Sequence, residues 1–127
     1  MLDNMNSIKL KAELSELYAL KEFINETYEL NIQLELAIEE LFVNIVNYSN
    51  ADYIIVNVDY DGDLTVEFID NGIEFDPTIH EGSKKSGNID EVEVGGLGIL
   101  LAKDNVDEMI YTHENGENHL KIIKKGI

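Results

Sequence analysis

The sequence predicts an α/β (α+β) two-layer sandwich, in which a mixed, mostly antiparallel sheet is covered by helices on one face. Three observations carry that expectation. Tyr53 to Tyr60 and the run from Asp63 to Asp70 alternate apolar and polar residues about an Asp61-Gly62 turn, so one face is core and the other wet. The stretches around Leu14 to Ile24 and Asn31 to Tyr48 space their apolar side chains as helices do. A final pair of runs, Met109 to His113 and His119 to Lys124, flanks Asn115-Gly116, a tight-hairpin pair.

In chain order, Asn6 to Ala12 reads as an opening strand because Ile8, Leu10 and Ala12 alternate with Lys9 and Lys11. Leu14, Leu17, Leu20 and Ile24 mark the first helix. Asn31 caps the second, which runs to about Tyr48 and ends at Ser49-Asn-Ala-Asp. In the strand pair that follows, Leu64, Val66, Phe68 and Asp70 share a face. Asp70 closes a core-facing series, so its carboxylate should look inward toward the helices. From Pro77 to Val94 the periodicity disappears, and a stretch of that length reads as a functional lid or a disordered loop. Gly95-Gly-Leu-Gly98 then opens a helix from Ile99 to about Val106. The 127 residues are expected to form one domain, 1–127, with the lid at about 77–94.

Composition narrows the function. The formal charge of −17 comes from 26 acidic residues against nine basic ones, all lysine. Such a surface repels phosphate backbones, so DNA or RNA binding is not expected, whereas a basic protein partner would be attracted. Solubility alone also explains an acidic surface. Without cysteine there are no disulfides, thiol catalysis or Cys-based zinc sites. No apolar run is long enough to cross a bilayer, and Met1-Leu-Asp-Asn lacks the charged-then-apolar order of a signal peptide, so no membrane association and a cytoplasmic location are expected.

The chemistry gathers in three short motifs. Glu40-x-x-x-Asn44 puts a carboxylate and a carboxamide on one face of a helix that is otherwise apolar through Ile38, Leu41, Phe42, Val43, Ile45 and Val46. A buried Asn or Glu is costly unless its polar atoms are answered, and a satisfied core Asn with a Glu at the rim is the bland account. Asp70-Asn-Gly72-Ile-Glu-Phe75 ends a strand, and Gly96-Leu-Gly98 starts a helix. Taken singly, Gly72 is a turn residue and the later glycines a flexible helix entry. His80, His113 and His119 lack helical metal-ligand spacing, and Asp59, Asp61 and Asp63 lack the rest of a calcium loop. No P-loop or Gly-x-Ser-x-Gly sequence occurs.

In order and context the three motifs resemble the Bergerat-type ATP-binding domain shared by gyrase, Hsp90, histidine kinases and MutL. More narrowly they resemble its small single-domain branch of anti-sigma regulatory factors and serine-protein kinases. The resemblance covers essentially the whole chain. It implies an ATP-binding fold with ATP or ADP and Mg²⁺ as cofactors, Asn44 as the metal ligand, and Glu40 as the catalytic carboxylate that orients or deprotonates the nucleophile. It assigns ATP contacts to Asn44, Asp70, Gly72, Phe75, Lys84, Gly95, Gly96, Leu97 and Gly98. Each role suits its residue. A carboxylate such as Asp70 can accept from the exocyclic amino group of adenine. A glycine such as Gly72 lets a purine approach the backbone. Glycines at a helix start free N–H groups for phosphate, and Mg²⁺ takes few protein ligands beside phosphate oxygens. Lys84 and Lys85 lie in the lid, where solvation also accounts for them.

Two departures stand out. The chain has no arginine, so any arginine that related kinases place near the phosphates is missing, and Glu93-Val-Gly-Gly stands there instead. Many relatives support the adenine-binding Asp with a Thr from the last strand, where this chain offers Asn118 as the nearest polar residue. The resemblance implies a serine-protein kinase acting on a STAS-type anti-sigma-factor antagonist while sequestering a sigma factor, and it admits a homodimer with the N-terminal strand at an edge. The alternatives are a nucleotide-binding module that sequesters a protein partner without phosphoryl transfer, and a split histidine-kinase catalytic domain.

Overall fold

The computed structural model describes residues 6–76 and 96–126. Its strands are β1 (Asn6–Lys11), β2 (Tyr53–Tyr60), β3 (Leu64–Asp70), β4 (Glu108–Glu114) and β5 (Glu117–Lys124). Its helices are α1 (Leu17–Thr27), preceded by a 3-10 turn at Leu14–Glu16, α2 (Ile32–Tyr48) and α3 (Gly96–Asn105). The sheet order is β1-β2-β3-β5-β4. All four pairings are antiparallel, so the sheet expected to be mostly antiparallel is wholly so. β1 lies at an edge as expected, and β4 forms the other.

Local chemistry sets the boundaries. The Asn31 side chain accepts from the Leu34 N–H at 2.8 Å, capping α2 at its first turn. Asn50, in the left-handed region at φ 56°, ends the same helix. Asn115 and Gly116 both have positive φ, as a two-residue hairpin whose twist matches its strands requires.

Period-two alternation then builds one layer of core. Ile54, Val56 and Val58 of β2, with Leu64, Val66 and Phe68 of β3, are buried under Leu20 and Ile24 of α1 and Leu34, Ile38, Leu41 and Phe42 of α2. Phe42 and Phe68 are fully buried, each contributing about 1.5–3 kcal/mol relative to an exposed ring. The next core-face residue of β3 after Phe68 is Asp70, only 3% exposed. The sheet thus delivers a carboxylate to the C-terminal half of α2. There α3 also packs, burying Ile99 and Ala102. Among the described residues no helix is long and apolar enough to cross a membrane.

Candidate functional site

Where β3 runs under α2, a cavity open toward solvent is lined by residues of five elements and their loops. Leu41, Asn44, Ile45 and Ser49 come from α2 and its end, Asp70 and Phe75 from the end of β3 and its loop, Ile99 from α3, and Tyr111, Asn118 and Leu120 from the last hairpin. Asp70 and Asn44, 26 residues apart in sequence, therefore face one space.

Asp70 is held by its surroundings. Its Oδ1 accepts from the Gly72 N–H at 2.8 Å and from Asn118 Nδ2 at 3.0 Å. Both bonds end on Oδ1, which leaves Oδ2 for a donor from elsewhere. Asn71 pins the turn to the start of β2, its Oδ1 accepting from the Asp52 N–H at 2.8 Å and the Tyr53 N–H at 3.3 Å. The Ile73 N–H donates to the Ser49 carbonyl at 2.7 Å, tying the loop to the end of α2. A Cβ on Gly72 would collide with Ser49, its backbone oxygen included. The glycine expected to admit a ligand is thus required by helix packing in its own right.

Asn44 is 5% exposed, and its Nδ2 donates to the Glu40 carbonyl one turn back at 2.8 Å. Its Oδ1 has no hydrogen-bond partner, the one such buried side-chain atom among the described residues. A buried carbonyl oxygen left unanswered costs about 1–3 kcal/mol, so a partner beyond the described residues would relieve it. A hard cation suits it, since Mg²⁺ takes neutral oxygens and completes its shell with waters and phosphate. No cluster of three or more His, Cys, Asp or Glu that could hold a metal occurs among the described residues.

Glu40 is half-buried and does not line the cavity. Its carboxylate packs against the start of α3, where a Cβ on Gly98 would strike Oε1 and lie 3.2 Å from Glu40 Cβ and Cδ. Gly98 is the residue that lets α3 come this close to α2. The helix begins at Gly96 rather than after Gly98, so the glycines expected to precede it form its first turn. Lys84 and Gly95, like the lid at 77–94 and His80, fall outside the described residues, and only the backbone is described at Gly96 and Leu97.

Two lining residues escaped attention in the sequence. Tyr111 donates its hydroxyl to Asn118 Oδ1 at 2.5 Å and accepts from the Phe75 N–H at 3.2 Å. Burial, the largest cause, raises its phenol above the ordinary tyrosine range. The Phe75 N–H opposes the rise, and the carboxylates of Glu74, Asp76 and Asp70 add to it. Ser49 donates its hydroxyl to the Ile45 carbonyl at 2.7 Å. His113 is exposed but has its Nδ1 3.0 Å from Asn118 Oδ1, whereas His119 sits on the uncovered sheet face, 3.7 Å from Glu67 and 3.8 Å from Glu117.

A helix-covered antiparallel sheet with an inward carboxylate at one strand end, an unanswered amide oxygen opposite and a glycine-bearing helix start beside them defines a ligand-binding domain of the nucleotide type. The chain belongs to the histidine kinase-like ATPase domain family, whose model matches residues 8–124. No curated protein sequence matches it. The crystal structure of the RsbU and RsbW domains of Rv1364c from Mycobacterium tuberculosis is similar in fold, with a TM-score of 0.61 and 17% sequence identity. The match covers 97% of this chain and 32% of that one, so the present chain spans about a third of that protein's length. The architecture is the Bergerat fold that the sequence motifs resemble.

Proposed function

We propose that the chain binds ATP with Mg²⁺ and acts as an anti-sigma regulatory factor that phosphorylates a serine of a small antagonist protein. One observation carries the nucleotide reading: Asp70 and Asn44 line the same cavity, and among the described residues Asp70 Oδ2 and Asn44 Oδ1 have no hydrogen-bond partner. In this reading Asp70 accepts from the adenine amino group, and Asn44 holds the metal. Bound Mg²⁺ neutralises charge on the phosphate oxygens. The start of α3, with Gly96 and Gly98, offers backbone N–H groups and a favourable dipole to the phosphates. Glu40, one turn before Asn44 and beside Gly98, orients the attacking serine hydroxyl and takes its proton. The apolar walls from Leu41, Ile45, Ile99 and Leu120 exclude water from the base.

The sigma-factor and antagonist partners rest on the sequence resemblance, and the charge of −17 suits a basic partner surface. A second reading, a nucleotide-dependent sequestering module without phosphoryl transfer, is favoured by the absence of arginine and by Glu40 lying outside the cavity lining. Transfer of label from γ-labelled ATP to a serine of a cognate antagonist separates the two. Glu40→Gln should abolish transfer and leave nucleotide binding intact. Full transfer by that variant rejects the role of Glu40, and binding without transfer by the unaltered protein selects the second reading.

A further inference from the structure

Asn118 is 4% exposed, and both ends of its amide are engaged by other protein groups. Nδ2 donates to Asp70 Oδ1 at 3.0 Å and to the Ile73 carbonyl at 2.8 Å, with the Gly72 carbonyl at 3.5 Å. Oδ1 accepts from Tyr111 at 2.5 Å and lies 3.0 Å from His113 Nδ1. Both donors and at least one lone pair of the amide are thus spent within the protein. It lines the cavity but acts on other protein groups.

An amide is two-faced. Reversed, Asn118 would aim its oxygen at the Asp70 carboxylate, two acceptors with no proton between them. The Asp70 carboxylate and the Ile73 carbonyl oppose the reversal from one side, and Tyr111 opposes it from the other. Its hydroxyl accepts the Phe75 N–H at 3.2 Å and donates to Asn118 Oδ1, the end of the amide away from Asp70. Burial keeps that proton on the phenol. With the amide so fixed, Asp70 Oδ1 is occupied, and Oδ2 is the carboxylate oxygen without a partner among the described residues. The same hydroxyl holds the backbone of Phe75, another lining residue.

We propose that Tyr111 is a positioning residue for base selectivity, acting through a relay from the Phe75 N–H to Tyr111, to Asn118, to Asp70. The proposal rests on the reading of the cavity as a nucleotide site. It specifies that discrimination for a 6-amino purine depends on a tyrosine hydroxyl that never touches the base.

The test compares ATP with purine riboside triphosphate, which lacks the 6-amino group, by titration calorimetry in Mg²⁺ with the full chain. The unaltered protein should prefer ATP. Tyr111→Phe should weaken ATP binding about tenfold, the scale of one hydrogen bond's worth of orientation, while barely changing the affinity for the analogue. The preference thus collapses. Asn118→Asp, which sets a second carboxylate beside Asp70, should abolish the preference as well and serves if the first variant does not fold. Equal weakening of both ligands in Tyr111→Phe means general loosening and overturns the proposal, as does an undiminished preference. An unaltered protein that binds both equally has no base contact for the relay to govern, which also overturns it. Binding of neither by the unaltered protein sinks the nucleotide reading itself, a result distinct from all the others.

Discussion

Replacing Asn44 by leucine should make the protein more stable without nucleotide and less stable with it. Asn44 is 5% exposed among Leu41, Ile45 and Ile99, and its Oδ1 has no partner among the described residues. Removing that oxygen relieves about 1–3 kcal/mol of unanswered burial, against about 0.5–1.5 kcal/mol lost with the Nδ2 bond to the Glu40 carbonyl. Leucine is close in volume and adds apolar surface in an apolar setting. A net gain of about 1 kcal/mol follows, which at this chain length raises the melting temperature by about 3–5 °C. With Mg²⁺ and ATP at 100 times the dissociation constant the unaltered protein gains about 2.7 kcal/mol, a term the variant forfeits. The two melting curves should therefore change order when Mg²⁺-ATP is added. Thermal unfolding with and without nucleotide reads both halves. A variant that melts lower in the absence of ligand, or that gains as much from Mg²⁺-ATP as the parent, refutes the assignment of Asn44 as a ligand held in readiness.

Gly72→Ala should destabilise the chain by about 1–3 kcal/mol, because its Cβ meets the backbone oxygen of Ser49, which cannot rotate away; a denaturant midpoint equal to the parent's would show that the loop yields freely. Gly98→Ala meets the flexible end of Glu40 instead, so it should cost little stability but displace that carboxylate and depress phosphate transfer far more than nucleotide affinity. Equal losses in transfer and affinity would argue against Glu40 as the group affected. Without divalent ions, nucleotide affinity should rise with added salt, since the charge of −17 repels a triphosphate and ions screen that repulsion. A fall with salt, as in sites built from lysine and arginine, would place basic side chains around the phosphates.

Much of the fold is legible because two periods run cleanly through the sequence. The two-residue alternation of Leu64, Val66 and Phe68 predicts an inward Asp70, and the structure buries it. The Asn31 cap and the end near Tyr48 bound α2 as read. Propensity misleads at α3, where glycines suggest a helix entry but Gly96 and Gly98 lie within the helix. Tertiary packing explains the difference: a Cβ at 98 would meet the Glu40 carboxylate, so glycine keeps that side chain in place between two close helices despite the roughly 1 kcal/mol it costs a helix interior. Gly72 carries a similar lesson, since the neighbour that demands it is Ser49, distant in sequence.

The residues that escape the sequence are those whose meaning depends on register between distant strands. Alternation on β4 and β5 puts Tyr111, His113, Asn118 and Leu120 on the core face, yet only the pairing of Asp70 with Asn118 turns that face into a support for the carboxylate. Register cannot be read from either strand alone, because a slip of one residue would send Asn118 to the uncovered face. What fixes it is the apolar set on the same face, Leu120 and Ile122 opposite Phe68 and Val66. The polar geometry of the site is thus set by the hydrophobic core one layer away. Tyr111, on the neighbouring strand of the same register, donates to the Oδ1 of that Asn118 amide. Substitution at one position of this pocket therefore calls for its partner on the adjacent strand, and Asn118 and Tyr111 are best understood as a single unit.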